Sequence, residues 1–495
     1  MKITKAPSLI VILFSLLAAG NVPAQPGFGG SLLTVDHNSD THDANPGDGL
    51  CADPAGNCTL RAALDEANAR PDSDVISFAL PPGSVIDLTL GQLTITGSVS
   101  IVGPGARRLT IRRSQNPETP NFRIFLVQSN AGSGTRIRGL TIRNGNAGAG
   151  EKGGGIFIES GNTVNLTDLD ISDNAAQDGG GIANAGTVNL SRSTISSNVA
   201  AAGQGGAFLN ADGNSLARII NSTITANSAS TGGGLQNNGS VLLVNDSISG
   251  NSATASGSSI VNAKGAQTHV LNTIIGQDNS TTATALSGAF SSLGNNIVTD
   301  ARQSSGFTNG VNNDQVSDDN SINPLLGNLT DNGGQTDTLS LQTGSPAINA
   351  GNSCVFNPSC SLPLNTPSLF LLSDQRNVHS RLSGPAVDIG AFETGSGVLS
   401  SNGGFNFAIF GRTGFYAGSF AVLTDPVDNS KRYSFFNMTN HVSFRNLNGR
   451  GVYIMEIKSK RSSFPPFVFA FSDVFFGLTF ENDGFSAVFT PLNKN

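Results

Sequence analysis

The chain has 495 residues, of which 60 are glycine, none is tryptophan and only 13% are charged, and its net charge is −7. A mildly acidic balance excludes general nucleic-acid binding, which needs clustered basic surface. The length exceeds what one ordinary core fills, and the glycine content favours a quasi-linear repeat over several globules.

The opening residues carry Lys2 and Lys5, then an apolar run from Leu9 to Ala19, then Val22-Pro23-Ala24. This order predicts a secretory signal peptide over residues 1–24, cut after Ala24, with no cysteine placed for a lipid anchor. Its removal leaves 26 basic residues against 35 acidic ones, net −9. In an exported chain the local pairs Cys51 with Cys58 and Cys354 with Cys360 read as two short-loop disulfides. Four cysteines leave three connectivities open, and zinc is the lesser alternative because no histidine lies close in sequence to either pair.

Residues 25–72 form an N-terminal segment. Its Asp36, Asp40, Asp43 and Asp48 invite calcium, but their spacing fits neither an EF-hand nor a glycine-rich nonapeptide, so turn chemistry is preferred. No other cofactor or metal is expected. Thr59 precedes "LRAALDEANAR", in which Leu60, Ala63, Leu64 and Ala67 share one helical face. That pattern predicts a short helix, capped by Thr59, that plugs the first coil of a repeat.

Residues 73–345 read as stacked coils. Between about 153 and 275 the chain repeats every 25 residues or so: "GGGIFIESGNTVNLTDLDIS", "GGGIANAGTVNLSRSTIS", "GGAFLNADGNSLARIINSTIT" and "GGGLQNNGSVLLVNDSIS", with a drifted fifth copy. Alternating apolar and polar positions mark strands with one buried face. Alignment of the copies stacks Ile171, Ile195, Ile224, Ile248 and Ile274 in an interior column. Asn174, Asn198, Asn227 and Asn251 align at a corner, where stacked amides can satisfy backbone groups that the ladders miss. A leucine-rich horseshoe is the rival solenoid, but it wants helices and dense leucine.

Three groups of residues are candidates for chemistry. Asp168 and Asp170 alternate along one outward strand face, at a spacing that suits paired carboxylates for glycoside hydrolysis, although a solvated ion pair with Arg192 is the simpler reading. Eight arginines stand between Arg107 and Arg143 against the single acid Glu118. Alternation turns Arg112, Arg136 and Arg138 outward, which would make a basic face for carboxylate or phosphate groups. Near the end, Asp374, Arg376, Arg381, Asp388 and Glu393 suggest a buried polar network that pins a closing segment.

Residues 346–393 are expected to supply last rungs and a cap, since an uncapped solenoid exposes strand edges. Residues 394–404, "GSGVLSSNGG" among them, read as a linker. Residues 405–495 hold period-two phenylalanines and all three tyrosines, predicting a small antiparallel β domain. The run from Phe464 to Phe480 is too short and too interrupted for a membrane span.

Several segments resemble known bacterial families. "GDGLCADPAGNCTLRAALDEANA" is similar to the CSLREA domain, with Cys58-Thr59-Leu60-Arg61-Ala62-Ala63 at its motif and Ala62 where the family name has glutamate. "NPLLGNLTDNGGQTDTLSLQTGSPAINAG", "DQRNVHSR" and "VDIGAFE" resemble the choice-of-anchor Q domain of surface proteins, with Asn377 where glycine is expected. The middle resembles right-handed β-helices of the pectin-lyase-like fold. Enzymes of that fold act on acidic or neutral polysaccharides, but the Gly-His-Gly turn of its hydrolases is missing, and "RIR" at Arg136 to Arg138 only approximates their Arg-Ile-Lys strand.

The expected molecule is therefore all-β: a right-handed parallel β-helix with an N-terminal capping helix and a small C-terminal antiparallel domain. Its expected place is outside the cytoplasm, secreted or at the cell surface. The expected role is non-catalytic binding of an acidic polysaccharide or a cell-surface partner, without nucleic acid. A polysaccharide lyase or glycoside hydrolase is the alternative.

Overall fold

The computed structural model describes residues 31–394, except 129, 130, 132, 133, 279–282, 356–359, 367, 368, 370, 372, 378–380 and 382, together with strand backbones between residues 400 and 492. The expected signal peptide lies outside the described residues. Three long parallel sheets wrap one elongated core. Sheet 1 holds ten strands from Leu32–Val35 to Ser291–Gly294, sheet 2 ten from Ser84–Leu88 to Gln315–Val316, and sheet 3 nine from Leu93–Ile95 to Gln303–Ser305. The chain visits the sheets in turn, so each strand pairs with its counterpart one coil later: a parallel β-helix.

Registration is set by what points inward. On sheet 2 the column runs Ile86, Ile111, Ile142, Ile171, Ile195, Ile224, Ile248, Ile275 and Val298, all fully buried. The sequence alignment placed Ile274 in this column, and the structure puts Ile275 there instead. The fifth copy carries two adjacent isoleucines; Ile275 pairs with Ile248, while Ile274 pairs with Ser247, faces outward and is buried by other means. A shift of one residue in a strand exchanges its two faces.

The corners carry the polar part of the core. Asn174, Asn198, Asn227 and Asn251 stack as expected, each side-chain amide donating to the next Oδ1 at 3.0 Å. A second ladder, Asn184, Asn210, Asn237 and Asn262, runs inside sheet 3 with amide bonds of 2.8–2.9 Å. It continues the column begun by Ile95, Val127 and Ile158. The corner between sheets 1 and 2 demands a left-handed residue in every coil: Asp168, Arg192, Asn221, Asn245, Asn272 and Asn295 have φ between 49° and 56°. Asparagine and aspartate tolerate that region best among residues with a Cβ.

Helix α1 (Leu60–Asn68) forms where expected, and Thr59 Oγ1 accepts from Ala62 N at 3.0 Å. It buries Leu60, Ala63, Leu64 and Ala67 over the first coil. The Cys51–Cys58 and Cys354–Cys360 disulfides are both formed, which removes zinc from the alternatives. Two of the N-terminal aspartates close local turns, Asp43 accepting from Asn45 N and Asp48 from Leu50 N; Asp43 also accepts from Ala52 N, while Asp36 accepts from Cys58 N and Asp40 from Thr89 N, Leu90 N and Arg61, tying the segment to distant residues.

The closing segment differs from expectation. The parallel ladder stops at Val316, and the described residues of 321–394 add no further rungs but fold back along the outside of the coils. An antiparallel hairpin, Leu326–Thr330 with Thr338–Leu341, leads into it. Gln375 bonds to Thr194 and Thr223 on sheet 2, and Gly390 N donates to Asn272 O at the corner. The outward Ile274 and Ile297 are thereby covered by Leu341, Ala347 and Ile389. The polar network forms as expected. Arg376 pairs with Asp374 at 2.6 Å, Glu393 accepts from Asp388 N, and Arg381 is fully buried with its guanidinium 3.9 Å from Glu393. Asn377 takes φ 65° in place of the glycine expected there.

Beyond residue 400 the backbone forms the antiparallel strands expected. Five make one sheet (Ser400–Gly411, Gly414–Thr424, Lys431–Phe436, Leu478–Asn482, Phe485–Leu492) and three another (Val442–Asn446, Val452–Ile457, Phe467–Ser472). The first strand begins inside the stretch read as linker. Among the described residues no helix is long and apolar enough to cross a membrane.

The polar core can be tested at the ladder and at its buried carboxyls. Asn227→Ala removes the acceptor for Asn198 N and its amide and the donor to Ile195 O, all buried. Each orphaned group costs about 1–3 kcal/mol, so the urea midpoint falls clearly; an unchanged midpoint contradicts the ladder's role. Burial raises Asp74 and Asp278 to about 6, and raises Glu393 to about 8 against the pull of Arg381. These carboxyls hold protons more tightly folded than unfolded. Their contribution is full below the ordinary carboxylate range and is lost as pH rises through about 6 and about 8. The melting temperature should fall from mildly acidic to mildly alkaline solution, and Glu393→Gln should remove the later part of the fall.

Candidate functional site

On sheet 1 two outward columns run side by side. Ser100, Arg136, Asn165, Asn189 and Arg218 follow one another in register, and next to them Val102, Arg138, Thr167, Ser191 and Ile220. Together they line a groove of about 230 Å³ whose floor includes Ile137 and Leu190. At a strand spacing of about 4.8 Å, four steps make it about 19 Å long. Its middle is neutral and polar. Asn189 donates to Asn165 Oδ1 at 3.1 Å, and the Thr167 and Ser191 hydroxyls lie 3.3 Å apart.

Three guanidiniums face this groove, and no carboxylate is among its lining residues. Arg136 makes no hydrogen bond or ion pair with the described residues, and burial holds it below the ordinary guanidinium range. Arg138 is lowered by burial too, with Asp168 pulling the other way. Arg218 is lowered by burial; among the described residues it bonds to the neutral oxygens of Asn189, Leu364 and Thr366. Arginine stays protonated regardless. For Arg136, where burial is the one cause, the shift records a cation that has lost water without gaining counter-charge from the described residues, and an entering anion would supply it.

The structure separates the sequence candidates. Arg136 and Arg138 share the groove, but Arg112 lies on sheet 2, paired with Asp87 at 2.6 Å, a bond that raises it. Alternation tells inward from outward but not which of three sheets a strand joins, so the expected three-arginine face is not formed. Arg218 takes the place assigned to Arg112. Its position could have been read from the repeats, because Arg218 in "LARII" aligns with Asn189 and Asn165 in the two "TVNL" copies.

Asp168 and Asp170 do not share a strand face. Asp168 is a corner residue at φ 54°, 4% exposed, and bound to Arg192 by two hydrogen bonds of 2.8 and 3.1 Å. Asp170 opens the sheet 2 strand Asp170–Ser172, where burial raises its pKa. The turn at Asp168 sends the chain from sheet 1 to sheet 2 between them, so they do not flank a common groove.

No family model matches the chain, and no curated protein matches it either. Among solved structures it is similar to pectate lyase Pel9A, at 16% identity over 74% of this chain and 96% of that one, with a TM-score of 0.33. Similarity at that level carries no functional weight, and the parallel β-helix stands on its own strand pairing.

A buried corner pair has a testable signature. Asp168→Ala removes the carboxylate that accepts two hydrogen bonds from Arg192 and should destabilise the fold by about 3 kcal/mol, seen as a lower denaturation midpoint. If stability is unchanged, the pair is not structural.

Proposed function

We propose that the protein acts outside the cytoplasm as a non-catalytic binder of acidic polysaccharide, which docks across the outer face of sheet 1. One observation carries this reading: an acidic chain gathers three partly desolvated arginines around one groove that holds no acid. Guanidinium planes suit the bidentate geometry of a carboxylate. The amide and hydroxyl rungs between them match the hydroxyls of a sugar ring. The leader-like N-terminus and the two disulfides support export.

Turnover is the weaker reading. Hydrolysis needs two carboxylates beside the bond, and the groove lining has none. Proton abstraction next to a uronate carboxylate needs a base, and the ionisable lining groups are arginines.

Calorimetric titration with polygalacturonate, and with a neutral glucan as control, tests the proposal. Arg136→Ala should weaken uronate binding about 10- to 100-fold, as expected for a charged hydrogen bond worth about 1.5–3 kcal/mol. Added salt should weaken binding in the unaltered protein, and the neutral glucan should give no heat. Equal binding of both glycans, or an unaffected Arg136→Ala variant, overturns the reading. Unsaturated-uronate absorbance during incubation would instead establish a lyase.

A further inference from the structure

At its Arg218 end the groove meets a turn that belongs to the closing segment rather than to the coils. Pro363–Thr366 closes with Thr366 N donating to Pro363 O at 3.2 Å, and its central residues Leu364 and Asn365 have φ of 59° and 51°. Two successive left-handed residues define a type I′ turn. Asparagine accepts that conformation, whereas for leucine it is a strained outlier.

Arg218 holds the strained turn in place. Its guanidinium donates to Leu364 O at 2.6 Å and to Thr366 Oγ1 at 3.0 Å, while its other arm reaches Asn189 in the groove. Behind the turn, Leu362, Leu364 and Leu371 pack with Val355 and the Cys354–Cys360 disulfide over Leu242, Val244 and Leu271. These three continue the two groove columns past Arg218 and Ile220. The outward face of sheet 1 is thus open as far as Arg218 and covered beyond it. The open part is small: about 230 Å³ lies under the range of roughly 300–1,000 Å³ usual for ligand sites.

We infer that the Pro363–Thr366 turn is an end wall, so that the groove takes the terminal few sugars of an acidic chain and excludes an internal stretch. The inference rests on the acidic-glycan reading above and narrows it. A chain lying along the columns would have to place its next unit, past Arg218, in the space filled by Leu364 and Thr366. An entering terminus meets no such conflict, and its carboxylates reach Arg136 and Arg138 while Arg218 stays with the turn.

Titrating the full chain with a size series of oligogalacturonates, from the dimer to long polymer, separates the two modes by stoichiometry. The expected result is one protein per oligomer at every length, an affinity per molecule that stays flat once the groove is filled, and at least tenfold loss in Arg136→Ala. Several proteins bound along each long polymer, with binding still lost in Arg136→Ala, overturns the end wall and leaves the acidic-glycan reading standing. No binding at any length, with heat absent for the dimer and the polymer alike, overturns both.

Discussion

The whole molecule depends on one constraint: each coil must lie directly over the last, because a parallel strand satisfies its backbone groups only through neighbours in register. Aliphatic side chains impose that register on the sheets, and amide ladders impose it at one corner and within sheet 3. An isoleucine column penalises a slip by turning apolar side chains outward. An asparagine ladder penalises it by leaving buried donors and acceptors unmet. The two penalties act on different parts of the coil, the faces and the bends, so neither can relax without the other.

A stack built this way has outer faces that the coil itself does not need. Where those faces are apolar, as at Leu242, Val244, Leu271, Ile274 and Ile297, residues 321–394 cover them and bring a buried charge network to hold the cover down. Where they are polar and basic, from Ser100 to Arg218, they stay open. The groove is what remains of sheet 1 after the closing segment has taken its share. Its far boundary is set by where outward hydrophobicity begins, between Arg218 and Leu242 in one column.

Local periodicity made much of this legible in the chain. Helix α1, the sheet 2 column up to Ile248, the corner asparagines and both disulfides follow from residues within one or two coils of each other. What failed needed longer range or finer register. Ile274 was misplaced because the drifted copy offers two adjacent isoleucines and alternation alone does not choose between them. Asp168 and Asp170 were joined on one face because a left-handed aspartate looks like any strand residue in sequence. In sequence the closing segment suggests last rungs as well as a cap, because its short apolar runs resemble rungs, while its partners lie more than a hundred residues away.

Net charge and local charge answer different questions in such a molecule. Its overall negative charge acts on a distant anion only weakly, because salt screens it beyond a Debye length of about 8 Å at physiological salt. Within the groove the relevant field comes from Arg136, Arg138 and Arg218, whose water has been partly displaced by the sheet and by the closing turn. A carboxylate that arrives there replaces lost hydration with bidentate hydrogen bonds, and the low polarity around it strengthens each one. On the proposed reading, the same burial that lowers the arginines' proton affinity is what would favour an anion beside them. Arg112 shows the contrast: half-buried on sheet 2, it is already paired with Asp87 at 2.6 Å.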